Sequence, residues 1–144
     1  MMKIEVIATG TELLKGSAVN TNLAAIGRML HQYGFTVNGG RIVGDSRADL
    51  IGALHRAAVE AELVIVTGGL GPTADDITRD VAAELFGLNL KRDPAIADRL
   101  RRYYRRRHGE GRVPKELFRQ AEVPVGAEVL ENRNGSSRTG CASS

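Results

Sequence analysis

The run Leu63-Val64-Ile65-Val66-Thr67 is followed at once by Gly68-Gly69-Leu70-Gly71-Pro72-Thr73-Ala74-Asp75-Asp76. The first five residues are almost all β-branched or apolar, as expected of a strand buried on both faces of a parallel sheet. The glycines turn the chain sharply. Ile77, Val81 and Leu85 then recur at helical spacing, with Gly87 as a stop. The same strand-to-helix grammar repeats upstream. Ile4-Glu5-Val6-Ile7-Ala8 is a buried strand closed by Thr9-Gly10. Leu23, Ile26, Leu30 and Tyr33 give one helix face, with Asn20 or Thr21 to cap it and Gly34 just past its end. Residues 35–43 read as another strand. Ser46 and Asp49 resemble a capping box before a helix that buries Leu50, Leu54, Ala57, Ala58 and Ala61. Strands alternating with helices predict an α/β domain with a mostly parallel sheet and right-handed crossovers.

Downstream, Asp93-Pro94 starts a helix with Ile96, Leu100 and Tyr103 on one face and arginines around the remainder. Pro114 opens a short helix, and residues 127–130 read as a strand. A chain of 144 residues suits one domain rather than two. No stretch approaches the roughly 20 apolar residues of a membrane span and no signal-peptide pattern opens the chain, so a cytoplasmic protein without membrane partners is expected. The single cysteine, Cys141, excludes an internal disulfide and a cysteine metal site. Residues 91–119 hold eleven Lys or Arg against four Asp or Glu, whereas the rest of the chain is net acidic. The arginine helix reads as a solvated face, with Tyr103 and Tyr104 as one core and one rim residue. The absence of Trp and the 4% aromatic content weigh further against nucleic acid. His31, His55, His108 and Lys15 receive no role.

Chemistry concentrates in two loops. Such sheets bind ligands at the carboxyl ends of their strands, where both loops fall. Without a Cβ, Gly68, Gly69 and Gly71 let the backbone approach a ligand, and successive N–H groups before a helix favour phosphate. Asp75 and Asp76 would repel a bare phosphate. They suit a bridging divalent cation, or hydroxyls and ring nitrogens of a ligand; alternatively Asp76 only caps the helix. The second loop is Thr9-Gly10-Thr11-Glu12-Leu13-Leu14-Lys15-Gly16, followed by Asn20-Thr21-Asn22.

These motifs, with VGDS at 43–46, TGGLGPTADDITRD at 67–80 and RQAEVPVGAEVLEN at 119–132, resemble the competence/damage-inducible protein A (CinA) family, in its N-terminal molybdopterin-binding-like domain. The resemblance spans nearly all the chain. It implies a three-layer α/β/α fold, with the loop from Gly68 to Asp76 lining a pterin and phosphate site, and roles for Asp76 and Asp45. It also implies a metal-dependent ADP-ribose pyrophosphatase. In that reading Asp75 and Asp76 are catalytic, and Asp75, Asp76 and Glu12 hold the cation. Gly10, Thr11, Glu12, Asn20, Asn22, Asp45, Thr67, Gly68, Gly69, Gly71, Pro72, Thr73 and Thr78 bind a nucleotide or pterin phosphate. A divalent ion is the expected cofactor and molybdopterin the less favoured one. A ligand-binding module without turnover is the alternative, a truncated inactive fragment is another, and a homo-oligomer is compatible with either.

The family continues after Glu131-Asn132 with Gly-Thr-Ala-Pro-Gly and further strands. Here Arg133-Asn134-Gly135-Ser136 follows, and one back-translation of it, shifted by a base, encodes Gly-Thr-Ala-Pro. The expectation is therefore a domain over residues 1–132, incomplete, and a frameshifted, disordered tail over 133–144. An ordinary flexible terminus is the alternative.

Overall fold

The computed structural model describes residues 1–130 and 139–141. Two compact units divide between Gly69 and Leu70. The first unit is built on three parallel strands, β1 (Ile4–Thr9), β2 (Val37–Val43) and β3 (Leu63–Thr67), in the order β2-β1-β3. A four-residue turn of helix, α1 (Thr11–Leu14), follows β1. Then come α2 (Thr21–Gln32), between β1 and β2, and α3 (Arg47–Glu60), between β2 and β3. Neighbouring strand residues point to opposite faces. On β2, Gly40 lies under Leu23 of α2, while the next residue, Arg41, reaches Glu60 of α3 at 3.1 Å. The two helices therefore cover opposite faces of the sheet, the three-layer α/β/α arrangement.

Burial corrects one expectation. β3 is half-buried at every position, whereas β1 is buried at all positions but Glu5. Composition favours both as core strands, but β1 lies between two strands and β3 has one neighbour among the described residues. Ile4, Val6, Ile7, Leu50, Ala53, Leu54 and Ala57 form the core of this unit. Ala58 is exposed, on the outward face of α3, and Tyr33 is 75% exposed at the C-cap of α2, which ends its apolar face one turn earlier than the periodicity suggests. The half-buried Glu5 is compensated by Arg41, whose Nε lies 3.2 Å from its carboxylate.

The second unit begins with the loop after Gly69 and α4 (Thr78–Leu85). β4 (Leu90–Arg92) pairs antiparallel with β5 (Glu122–Pro124), and neither short strand is legible in the sequence pattern. Between them run α5 (Pro94–His108) and a 3-10 helical segment, Lys115–Ala121. Asp93 caps α5, accepting from the Ile96 amide at 2.9 Å. Ile96, Ala97, Leu100, Ala121 and Val123 form a core against which Leu117 and Phe118 pack. Tyr103 and Tyr104 are both half-buried, so neither is a core residue; Arg107 lies over the first ring and His108 stacks on the second. Arg92 and Arg101 lie over Phe118.

β6 (Glu128–Leu130) pairs antiparallel with β7 (Thr139–Cys141). A disordered tail over 133–144 is corrected to that extent, since pairing at a strand edge uses backbone groups and requires no apolar periodicity. The rest of that segment lies outside the described residues. No helix among the described residues is long and apolar enough to cross a membrane.

Leu50 is fully buried under the sheet. Leu50→Ala should cost about 2–5 kcal/mol, and Val59→Ala, on the 75% exposed side of the same helix, should stay within about 0.5 kcal/mol. Urea unfolding followed by circular dichroism measures both.

Candidate functional site

In the first unit, the carboxyl ends of β1 and β3 meet at a contact only glycine permits. Gly68 has φ +94°, and a Cβ there would lie 2.2 Å from the Thr9 carbonyl oxygen. Beside this contact is a cleft of about 220 Å³ lined by Thr9, Glu12, Asn20, Asn22, Thr67 and Gly68, among others. Side-chain hydrogen bonds hold Asn22, Thr67 and Asn20. Asn22 Nδ2 donates to Thr67 Oγ1 at 2.8 Å, joining the first turn of α2 to the end of β3. Asn20 caps α2 by accepting from the Leu23 amide at 3.1 Å, and its Nδ2 is buried without a hydrogen-bond partner among the described residues. The Glu12 carboxylate folds back against Gly10, where a Cβ would collide with it. The Gly10 amide donates to Val43 O at 2.9 Å.

Asp45 braces the neighbouring loop. Its carboxylate accepts from the Thr11 amide at 3.0 Å, and its own amide donates to Thr11 Oγ1 at 3.2 Å. This reciprocal pair locks the loop after β1 to the loop after β2. Gly69, with φ +62°, completes the turn out of β3.

In the second unit, the Asp76 carboxylate faces back into its own loop. Oδ2 accepts from the Thr73 amide at 2.8 Å and from the Thr73 hydroxyl at 2.5 Å, and the Gly71 amide also donates to the carboxylate. A Cβ on Gly71 would sit 2.5 Å from Oδ2, so glycine makes room for the carboxylate. Asp76 does not cap α4: Ile77 occupies that position, without a side-chain cap. The anion seated on the amides of Gly71 and Thr73 is the protein's own. Burial acts to raise the Asp76 pKa, but the Thr73 hydroxyl, the Gly71 and Thr73 amides and the Arg119 charge outweigh it and hold it below its ordinary value.

Two arginines unassigned by sequence reasoning hold the same loop from outside. Arg79 donates to the carbonyls of Leu70, at 3.1 Å, and Arg119. Arg119 donates to the carbonyls of Thr73, at 2.6 Å, and Asp76, at 3.5 Å, and pairs with Asp80 at 2.9 Å. Burial draws the Arg79 pKa down while Asp80 and Glu122 hold it up, and the guanidinium stays charged. In the sequence, Arg79-Asp80 closes the family-like stretch at 67–80 and Arg119 opens the one at 119–132, but nothing local gives either arginine a role. Asp75 and Thr73 are exposed and Pro72 half-buried, whereas Thr78 is 4% exposed. Among the described residues, no three His, Cys, Asp or Glu converge to hold a metal ion.

Residues 5–137 match the family model described as a probable molybdopterin binding domain. The chain belongs to this family, on its CinA-like side. A crystal structure of CinA from Thermoplasma acidophilum, described as of unknown function, superimposes with a TM-score of 0.82 at 31% identity, covering 95% of this chain and 79% of that one. A CinA-like protein of Akkermansia muciniphila is 43% identical over 136 residues, 94% of this chain and 32% of its own length. The CinA-like domain thus spans about a third of the length of the curated relatives it matches. The molybdopterin biosynthesis enzyme MoaB of Thermus thermophilus shares its fold, with a TM-score of 0.57 at 21% identity, covering 86% of this chain and 79% of that one.

The seating of Asp76 has a pH consequence. With its folded pKa below the ordinary 3.8, the stabilisation of the loop is complete above that value and is lost as pH falls through the lowered one. A carbon-detected NMR titration should place Asp76 below 3.8, and Thr73→Val should move it back upward. An unchanged midpoint in the Thr73 variant would show that the hydroxyl does not hold the carboxylate.

Proposed function

We propose that the domain binds a nucleotide or pterin phosphate at the carboxyl ends of β1 and β3, and that it derives from a hydrolase of ADP-ribose-like pyrophosphates. The observation carrying this reading is Asn20 Nδ2, a buried donor without an acceptor among the described residues, in a residue that lines the cleft. Leaving such a donor unsatisfied costs about 1–3 kcal/mol, which an oxygen of a bound ligand would relieve. Whole ligands usually occupy roughly 300–1,000 Å³, so a cleft of about 220 Å³ suits one part of the ligand, a ribose or a ring edge. The names of the molybdopterin-biosynthesis structures sharing the fold support a pterin phosphate as the second ligand class.

The described residues do not form a preassembled metal cage. A divalent cation fits this domain as one carried on the ligand's phosphates, as Mg²⁺ commonly is, with one or two protein carboxylates added. Glu12 is the carboxylate that lines the cleft. Such a cation supplies charge neutralisation at the phosphoryl oxygens and a more acidic water. Asp76, with its carboxylate turned to Thr73 and Gly71, positions the loop rather than the metal. Thr11 and Asp45 hold the first loop's shape, and the amides of Gly68 and Gly69 remain the backbone donors for developing charge. The whole-protein activity and location follow the same reading, as those of a cytoplasmic enzyme of nucleotide metabolism.

Calorimetry with ADP-ribose, nicotinamide nucleotides and pterin phosphates, with and without Mg²⁺, tests this. Micromolar binding, roughly −8 kcal/mol, is expected for one class. Asn20→Ser preserves a good N-cap but removes the amide donor, so affinity should fall roughly tenfold while the melting temperature holds. Equal affinity in this variant, or no heat with any of the three classes, would sink the proposal. Mg²⁺-dependent release of AMP from ADP-ribose distinguishes the hydrolase from a binding module.

A further inference from the structure

Helix α5 takes no part in the site proposed above, yet its segment, residues 91–119, carries eleven basic side chains against four acidic ones. The structure sorts these charges. Ile96, Ala97 and Leu100 are buried in the core of the second unit, which fixes the inner face of the helix. Arg102, Arg105 and Arg106 are exposed, at the three- and four-residue steps that share one outer face. Arg101 pairs with Asp98, and Arg105 lies 3.7 Å from the Glu110 carboxylate. Arg92 and Arg101 lie over Phe118, and Arg107 over Tyr103. Arg102 and Arg106 have neither an ion-pair nor a ring partner among the described residues.

Helix stability does not account for this pair. Cations favour the last turn of a helix, where the macrodipole is negative, and the effect fades within that turn. It covers Arg105 to His108 but not Arg102, which stands mid-helix. Arg102 and Arg106 are one turn apart, and like charges at that spacing repel. A solvated, ion-paired helix face interleaves both signs. The one acid on α5, Asp98, is already taken by Arg101.

We propose that this outer face of α5 binds the phosphate backbone of duplex DNA without reading its sequence. Guanidinium groups meet phosphate oxygens in a forked, two-bond geometry, and the helix carries arginines and no lysine. Base readout draws also on Asn and Gln, and α5 has neither. Single strands are held by free rings on which bases stack. Here Tyr103 lies under Arg107 and Tyr104 against His108, so the scarcity of aromatics weighs against that form alone. RNA duplexes are recognised through their 2′-hydroxyls, and α5 offers no Ser, Thr, Asn or Gln to meet one. An anionic membrane favours a helix with an apolar face to insert, and that of α5 is buried in the core. The proposal does not rest on the ligand reading above.

Fluorescence anisotropy of the full chain with a short labelled DNA duplex of mixed sequence tests it. Binding at about 1–100 μM is expected, with log K falling against log salt at a slope of about −3 or steeper between about 50 and 200 mM. The double variant Arg102→Gln, Arg106→Gln should lose about 1.8 of that slope and at least about tenfold in affinity. It removes a like-charge pair and puts good helix formers in its place, so its melting temperature should hold or rise. A control, Arg28→Gln with Arg56→Gln, removes the same charge from exposed positions of the first unit and should bind as the parent does. No binding by the parent at about 50 mM salt overturns the proposal, as does a Gln double on α5 that binds like the parent, or a control that weakens binding equally. Tighter binding to single-stranded DNA, an RNA duplex, phosphatidylserine vesicles or polyglutamate than to the DNA duplex overturns it as well.

Discussion

At the top of the first unit, the carbonyl of Thr9 and the backbone of Gly68 occupy a gap that no Cβ could share. That approach is possible because β1 pairs in parallel with β3 over its length and ends in register with it. Parallel strands bring their carboxyl ends to the same edge, and the connecting loops must leave from there. Asn22 then reaches Thr67, Gly10 reaches Val43, and Asp45 reaches Thr11. Three loops distant in sequence are bound into one surface by short polar contacts, all of which depend on the sheet register.

The second unit solves a similar problem by different means. The carbonyls of its loop are restrained by the guanidinium groups of Arg79 and Arg119. Inside the loop, the Asp76 carboxylate collects the amides that a bare glycine loop would offer to phosphate. Charge-assisted bonds of this kind are stronger than neutral ones and orient a loop firmly. The division of labour is thus between a cleft with an unsatisfied amide donor and a loop whose donors at Gly71 and Thr73 are already engaged.

Family membership and fold agree with the motifs, but residue roles divide more finely. Asn20 was legible as a cap because Asn precedes an apolar period of helical spacing, and it is one. Asp76 was legible as important but not in its direction: the sequence places it one residue before Ile77, where capping and ligand contact look equally available. The side chain turns to Thr73 instead, since the loop ends in a tight turn before α4 begins. Arg119 could not be found from its neighbours, because its partners lie some forty residues earlier in the chain.

The sequence by itself determined the alternation of strands and helices in the first unit, the α2, α3 and α5 caps, and the glycine turns after β1 and β3. These are local: periodicity, capping chemistry and the φ freedom of glycine act within a few residues. Only the tertiary structure decided which apolar strand is central, because Leu63–Thr67 and Ile4–Thr9 are equally suited to burial and differ only in how many neighbours they have. It also decided the antiparallel pairing of β4 and β5, whose three-residue strands are too short to show a period. The hold of Arg119 on the Asp76 loop belongs to the same class. It is set by contacts some forty residues apart, whose energy appears only when the chain is folded, and no short window of sequence contains both partners.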